Sequence, residues 1–222
     1  MRSALLLLVL LGCGGGQPGI APPPPYTPVN SPQAETECPT ERDAAQQARE
    51  DWLERGESVR DRAAEAVFAQ AECERARFDA RAIPADREER MMTTLRETRL
   101  HYQTVANLYE EVTKYQALRW TVGARTRLGA LNAAFADKLR TVGAPTDVTV
   151  VVDRVNFVSD LGSFAEDYDR QAAISHAAAL ETAALVPALV DSDAKVSGWV
   201  RASCDALTYL DPTARASSAL CK

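Results

Sequence analysis

The feature that most constrains the fold is an apolar stripe of helical period through residues 40–82. Small or apolar residues recur there at every seventh position, and Ala63, Val67 and Ala71 fill in the same side. This spacing places them on one face of an α-helix, because 3.6 residues make one turn. The members of the seven-residue series are Ala45, Trp52, Val59, Ala66, Cys73 and Ala80.

Gly56 interrupts this stripe and leaves two interpretations open. One long helix can run through Gly56, at a cost of about 1 kcal/mol relative to alanine. Alternatively, the chain turns at Gly56, and the stripe belongs to two antiparallel helices of a hairpin.

The same helical spacing recurs along the rest of the chain and predicts an all-α fold of irregular hairpins. Gly143 and Pro145 are typical of a helix end and stop the third helix. Small residues beside its stripe, Gly129 among them, predict close approach of another helix. The expected helices cover about 86–115, 118–142, 163–187 and 193–210.

Residues 147–158 are ambiguous. The run Val148-Thr149-Val150-Val151-Val152 is β-branched and favours a strand on propensity alone. A lone strand in a helical domain would leave its edges unpaired, so a helix or extended loop is favoured. The following Ala-rich helix is expected to begin at Ser163, with Phe164 and Tyr168 facing inward.

The N-terminus resembles the lipobox of bacterial lipoproteins. A short basic start with Arg2 precedes the apolar run Ala4–Leu11, and Leu10-Leu11-Gly12-Cys13 follows. The run is too short to span a bilayer. The resemblance implies cleavage before Cys13, acyl chains such as palmitate on that residue, and a periplasm-facing position on the outer membrane, because Gly14 stands where Asp would favour inner-membrane retention. The alternative is an ordinary signal peptide with an incidental cysteine.

Residues 14–37 are rich in residues that disfavour regular structure. They hold seven of the chain's 12 prolines and four of its 11 glycines. These residues oppose folding, so the segment is predicted to be a tether. The expected organisation is a signal peptide (1–12), a lipidated cysteine with its linker (13–39), an N-terminal helix or hairpin (40–85) and a further helical domain (86–222).

A second resemblance covers residues 90–140. The segment Tyr109–Tyr115 followed by Trp120–Leu131 resembles the junction between tetratricopeptide-type repeats, as found in envelope lipoproteins, including those of myxobacteria. It implies a degenerate helical-repeat domain that binds a protein partner. Tyr109, Trp120, Leu128 and Phe135 are expected to pack together. Trp120 is either the packing anchor of this hairpin or part of an exposed binding groove.

Four cysteines follow Cys13, an even number that favours disulfides in an exported protein. Cys38 and Cys73 are centred beside Gly56, and Cys204 and Cys221 beside Pro212, so hairpins at those points predict these two pairs. A straight helix would instead hold Cys38 and Cys73 about 50 Å apart. A zinc site from the four cysteines lacks any CxxC pair.

No residue pattern indicates catalysis, a cofactor, a metal or a small-molecule substrate. His101 and His176 lie on different predicted helices and are expected to be exposed or partly packed. The formal net charge of −6 argues against nucleic-acid binding. The leading hypothesis is a non-enzymatic scaffold held to the membrane by its lipid. The alternatives are a structural envelope spacer and a peptidoglycan- or glycan-processing enzyme.

Overall fold

The computed structural model describes residues 38–222, which form helices and no strand. The expected all-α class is therefore confirmed for this part of the chain. The signal peptide, Cys13 and most of the linker lie outside the described residues. The α-helices are α1 (Pro39–Arg55), α2 (Arg60–Ala80), α3 (Glu88–Lys114), α4 (Leu118–Thr141), α5 (Val151–Ala184), α6 (Pro187–Ser192), α7 (Ala194–Leu210) and α8 (Pro212–Ser217).

The chain turns at Gly56, so the hairpin replaces the single long helix. A short 3-10 segment, Gly56–Val59, joins α1 to α2, and the two helices pack against each other. Gly56 has φ +57° and ψ −135°, a backbone conformation that essentially only glycine adopts without strain. The residue that breaks the stripe is thus the one that permits the turn.

The start of α3 is fixed by residues from two places in the sequence. The Asp86 carboxylate accepts a hydrogen bond from the Arg87 amide at 2.8 Å, and Asp147 accepts one from the Glu88 amide at 3.0 Å. Acidic side chains stabilise the positive end of a helix and satisfy its free amides. The segment before α5 is therefore tied to the N-terminus of α3.

Residues 147–158 are helical for most of their length, in agreement with the preference for a helix or extended loop over a lone strand. The helix begins at Val151, twelve residues before the expected start at Ser163. Phe164 is 58% exposed, so the prediction that it faces inward is wrong. At about 1.5 Å per residue, the 34 residues of α5 are about 15 Å longer than the 24 residues of α4, so its first turns extend beyond its main packing partner.

A single hydrophobic core joins the two expected helical segments, 40–85 and 86–222. Phe78 of α2, Met91 and Tyr109 of α3, and Leu131 and Phe135 of α4 belong to a single buried cluster. Residues 40–85 therefore share their core with the helices that follow. A smaller cluster joins the C-terminal part of α5 to α7 through Leu180, Val196, Val200, Cys204 and Leu207.

The pair of α4 and α5 is the most extensive contact between helices, and it depends on glycine. A Cβ atom placed on Gly129 would lie 2.6 Å from ring atoms of His176. No side chain larger than hydrogen fits there without a shift of the buried ring. The expectation that small residues on α4 allow close approach of a helix is confirmed at this position.

Candidate functional site

Two disulfides close the ends of the described chain. Cys38 pairs with Cys73 across the α1–α2 hairpin, and Cys204 pairs with Cys221 across the turn at Pro212. These are the pairs that the two hairpins predict. A disulfide closing a loop of 35 residues stabilises a fold by roughly 3–4 kcal/mol in the chain-entropy model.

A buried carboxylate, Glu74, joins α1, α2 and α3. It accepts hydrogen bonds from Arg77 at 2.7 Å and Arg42 at 3.4 Å, and lies 3.2 Å from a ring nitrogen of His101. Burial raises the pKa of this carboxyl, but the hydrogen bond with His101 and the neighbouring arginine charges outweigh burial and lower it. A stably ionised, fully surrounded carboxylate is suited to holding helices together.

A second polar network crosses the same three helices. Arg49 donates two hydrogen bonds to Glu111, at 2.6 and 3.0 Å, and one to Gln70 at 3.1 Å. Tyr115 donates to the same carboxylate at 3.1 Å. Burial, together with the negative charge of Glu111, raises the pKa of the Tyr115 phenol to about 12, so it remains a donor at neutral pH.

His176 is buried, which corrects the expectation that it is exposed or partly packed. It is only 2% exposed, and its Nδ1 lies 3.1 Å from the Ser203 hydroxyl, which lies 3.0 Å from the Thr126 hydroxyl. Burial lowers the pKa of the imidazole to about 4. Ser203 is fully buried, so this Ser–His contact is out of reach of a substrate and links α4, α5 and α7 instead.

Nothing in residues 38–222 assembles a metal centre. No group of three or more His, Cys, Asp or Glu side chains lies close enough there to hold a metal ion. His101 is partly buried beside Glu74, in agreement with expectation, and is far along the chain and on a different helix from His176.

The first of two surface clefts, the aromatic cleft, lies between α2 and α7. It encloses about 550 Å³. Phe68, Trp120 and Trp199 form its floor, with ring centroids 5.3–6.1 Å apart. Glu65 and Lys195 stand at opposite walls, and Arg127 pairs with Glu72 at 3.1 Å, so the charges of this cleft are balanced.

Trp120 fits both interpretations offered by the sequence, as a packing residue of the core and as part of a surface groove. It is only 5% exposed and packs against Phe68 and Trp199, which makes it an anchor of the core. The guanidinium of Arg119 lies 5.1 Å from its ring centroid. Its remaining surface contributes to the aromatic cleft. The sequence did not reveal that Trp199, on the last long helix, completes this cluster.

The second cleft, the α5 cleft, lies where α3, α4 and α5 meet. It encloses about 410 Å³. Its interior is apolar, and Arg96, Arg99 and Asp167 stand at its rim. The apolar lining consists of Met92, Leu95, Phe135, Leu139, Leu161, Phe164 and Tyr168.

The valine face, formed by Val151, Val152, Val155 and Val158, lies on the first turns of α5. These side chains are 72%, 64%, 61% and 46% exposed. Residues 151, 155 and 158 fall on one side of a helix, at i, i+4 and i+7. Single exposed apolar residues are ordinary, whereas a contiguous exposed apolar group is typical of contact surfaces.

The structure brings the predicted packing residues together. Tyr109 and Phe135 are fully buried in the core, and Leu128 packs against its edge. Tyr109 donates a hydrogen bond to Glu72 on α2. The lipidation prediction for Cys13 lies outside the described residues and stays a prediction.

No family model matches the chain, and neither the curated proteins nor the solved structures contain a detectable relative. The fold and the surfaces described above therefore carry the functional argument. Among the helices of residues 38–222, none is long and apolar enough to cross a membrane. The α3–α4 hairpin spans 88–141, which exceeds the length of about 34 residues typical of one tetratricopeptide repeat.

Proposed function

We propose that the chain is a lipid-anchored envelope protein that holds a protein partner through the valine face, without catalysing a reaction. The exposed apolar turns of α5 carry this proposal, because contiguous exposed apolar patches on folded proteins commonly mark sites of contact with another molecule. The likeness to tetratricopeptide-type scaffolds agrees with a binding role but adds no partner.

The geometry of α5 supports a docking role. Its C-terminal half is packed into the body, while residues 151–156 and 158–160 are exposed. A helix presenting apolar residues at i, i+4 and i+7 fits a groove or a complementary helix on a partner. Because the other half is held rigidly, the docking half needs little ordering upon binding.

The lipobox-like N-terminus supplies the proposed location. Acylation of Cys13 would attach the protein to the outer membrane, and residues 14–37 would separate the body from the bilayer. Two or more acyl chains hold a protein stably to a membrane, whereas one chain holds it only marginally. The helical body would then face the periplasm at the end of its tether.

Cross-linking in native cell envelopes tests the docking role. A photo-cross-linking residue at position 155 is expected to capture one envelope protein, and the same probe at Leu53, an 84% exposed apolar residue on α1, is expected not to. Replacement of Val151 and Val158 by Ser should abolish the capture at position 155. Capture of the same bulk proteins from both positions would contradict the proposal and favour a structural spacer.

Cys13→Ser tests the location separately. The variant should leave the membrane fraction after a salt wash, while the wild-type chain stays. Retention of the variant would overturn the anchor without affecting the docking experiment, since the valine face lies in the folded body.

A further inference from the structure

We propose that the α5 cleft binds a single-chain anionic amphiphile, an alkyl chain ending in a carboxylate. The inference is independent of the valine face and of the membrane anchor. It rests on three features that coincide in this cleft: an apolar interior of ligand size, exposed apolar side chains at its mouth, and two arginines without ion-pair partners at its rim.

The interior has the size and lining of a small-molecule site. Its volume of about 410 Å³ falls within the roughly 300–1,000 Å³ typical of ligand pockets. Leu161 and Phe135 are buried at its base, and Leu139 closes one side. Apart from the Tyr168 hydroxyl, this lining offers an alkyl chain contacts with carbon alone, so it selects an apolar chain over a polar one.

The mouth of the cleft leaves apolar surface in contact with water. Met92 on α3 is 44% exposed, and Phe164 on α5 is 58% exposed. Both side chains line the cleft from different helices. An alkyl chain lying between them would cover this surface and gain free energy in proportion to the apolar area removed from water.

The positive charge at the rim of the α5 cleft favours an anionic head group. Arg96 and Arg99 are exposed, lie three residues apart on α3, and therefore share one face of that helix. Neither forms an ion pair within residues 38–222. The acidic residue of the rim, Asp167, is already paired with Arg170. The cleft thus presents two unpaired guanidinium groups in a chain of net charge −6.

Arg99 also acts on the interior of the cleft. Burial raises the pKa of the Tyr168 phenol, and the positive charge of Arg99 opposes that rise. Since Arg99 also lines the cleft, its guanidinium is placed to meet the head group of a molecule whose chain is inside. Guanidinium groups pair with carboxylates in a bidentate geometry.

The aromatic cleft lacks this combination. Its acidic and basic side chains balance, and its Glu72 and Arg127 pair with each other. It therefore serves as an internal comparison, because an anionic amphiphile should prefer the α5 cleft to a larger cleft elsewhere on the same molecule.

Laurate is the first probe, with dodecanol as its uncharged counterpart of equal chain length and butyrate as a carboxylate without a long chain. The full-length chain carrying Cys13→Ser is used, so that no acyl group at residue 13 competes. With the methionine methyl groups labelled for NMR, laurate should shift the Met92 resonance and leave that of buried Met91 nearly unchanged. Butyrate should shift neither, since each buried methylene tightens binding about fourfold.

Two variants separate the head-group contact from a general charge effect. Arg96→Gln with Arg99→Gln should weaken laurate binding about tenfold and dodecanol binding less than twofold, since exposed ion pairs contribute modestly. Arg62→Gln with Arg201→Gln removes the same charge from α2 and α7, and should leave laurate binding within about twofold. Met92→Glu, at an exposed position, should also weaken laurate.

Equal binding of laurate and dodecanol would overturn the assignment of the head group. A laurate-dependent shift of the Trp199 ring without one at Met92 would place the ligand in the aromatic cleft and overturn the site. The last measurement is binding to phosphatidylglycerol vesicles. Binding to vesicles without binding to laurate would show that the protein contacts a membrane surface, and would contradict a ligand-binding cleft.

Discussion

The two halves of α5 have opposite surroundings although one helix contains both. Ala172, Ala179 and Ala183 in the second half are fully or almost fully buried. Val151, Val152, Val155 and Val158 in the first half are exposed. These four larger and more apolar side chains are therefore in water, whereas the three alanines are in the core.

This inversion shows that closeness of fit, more than hydrophobicity, decides which half is buried. Alanine lets α5 approach α4 until the His176 ring meets the backbone of Gly129. Valines at the same positions would hold the helices apart. The first turns of α5, which carry the valines, extend beyond α4, because α4 is ten residues shorter. Substitutions at the buried positions of the second half are therefore expected to change stability, and substitutions at the exposed valines of the first half are expected to change binding.

The largest effect is expected from Gly129→Ala in α4. The added Cβ would lie 2.6 Å from the His176 ring, which is enclosed on all sides. Overpacking of this kind costs about 3 kcal/mol in free energy of unfolding. Urea denaturation followed by circular dichroism measures the change. A cost below about 0.5 kcal/mol would show that the α4–α5 interface is loosely packed.

An effect of similar size is expected when the pH is lowered. The pKa of His176 is lowered by burial to about 4, whereas in the unfolded chain it is about 6.5. The unfolded chain therefore binds a proton first as the pH falls, and the contribution of His176 to stability is lost between about pH 6.5 and 4. At about 1.4 kcal/mol per pKa unit, the full contribution is about 3.5 kcal/mol, of which roughly 3 kcal/mol is lost by pH 4.

The variant His176→Gln isolates this contribution from those of the carboxylates. Its stability should be lower at pH 7, and the difference between the two proteins should shrink as the pH approaches 4. A constant difference across that range would mean that His176 titrates normally and that its surroundings are wet.

A smaller effect of the opposite sign is expected from Gly162→Ala in the first half of α5. A Cβ atom there meets no other atom within 4 Å. Alanine favours a helix over glycine by up to about 1 kcal/mol, so the free energy of unfolding should rise. Gly129→Ala, in α4 opposite the second half of α5, and Gly162→Ala, in the first half, are thus the same substitution with opposite expected effects on the free energy of unfolding. Destabilisation by Gly162→Ala would indicate that this half is packed against something.

The smallest effect on stability is expected from Val155→Ser in the valine face. Exposed substitutions change the free energy of unfolding by less than about 0.5 kcal/mol. Denaturation curves of this variant and the wild type should coincide, while cross-linking to a partner from the neighbouring position 151 should fall. A loss of stability near that of a core substitution would show that the face is covered in the monomer.

Much of the fold follows from local sequence chemistry. The stripe of α4 and its end near Gly143 follow from spacing and turn residues. The sequence left the turn at Gly56 open beside a single long helix, and the Cys38–Cys73 pair followed only from the turn. These features depend on neighbours in the chain, so periodicity and glycine conformation determine them.

The errors lie where the chain is rich in alanine or depends on distant contacts. In α5 the small side chains give a weak stripe, so the helix start and the orientation of Phe164 were missed. The burial of His176 depends on Gly129, 47 positions earlier, and on Ser203 of α7. Both clefts combine helices far apart in sequence, and periodicity carries no information on which helices meet.

The Cys38–Cys73 disulfide determines how a mechanical load would enter the protein. If residue 13 is held to a membrane, tension along the linker reaches the folded body at Cys38 and passes through the sulfur atoms directly to Cys73 in α2. Residues 39–72, with all of α1, lie inside the closed loop and carry no tension. Reduction of the disulfide would shift the pull onto α1, which would then peel from the body first.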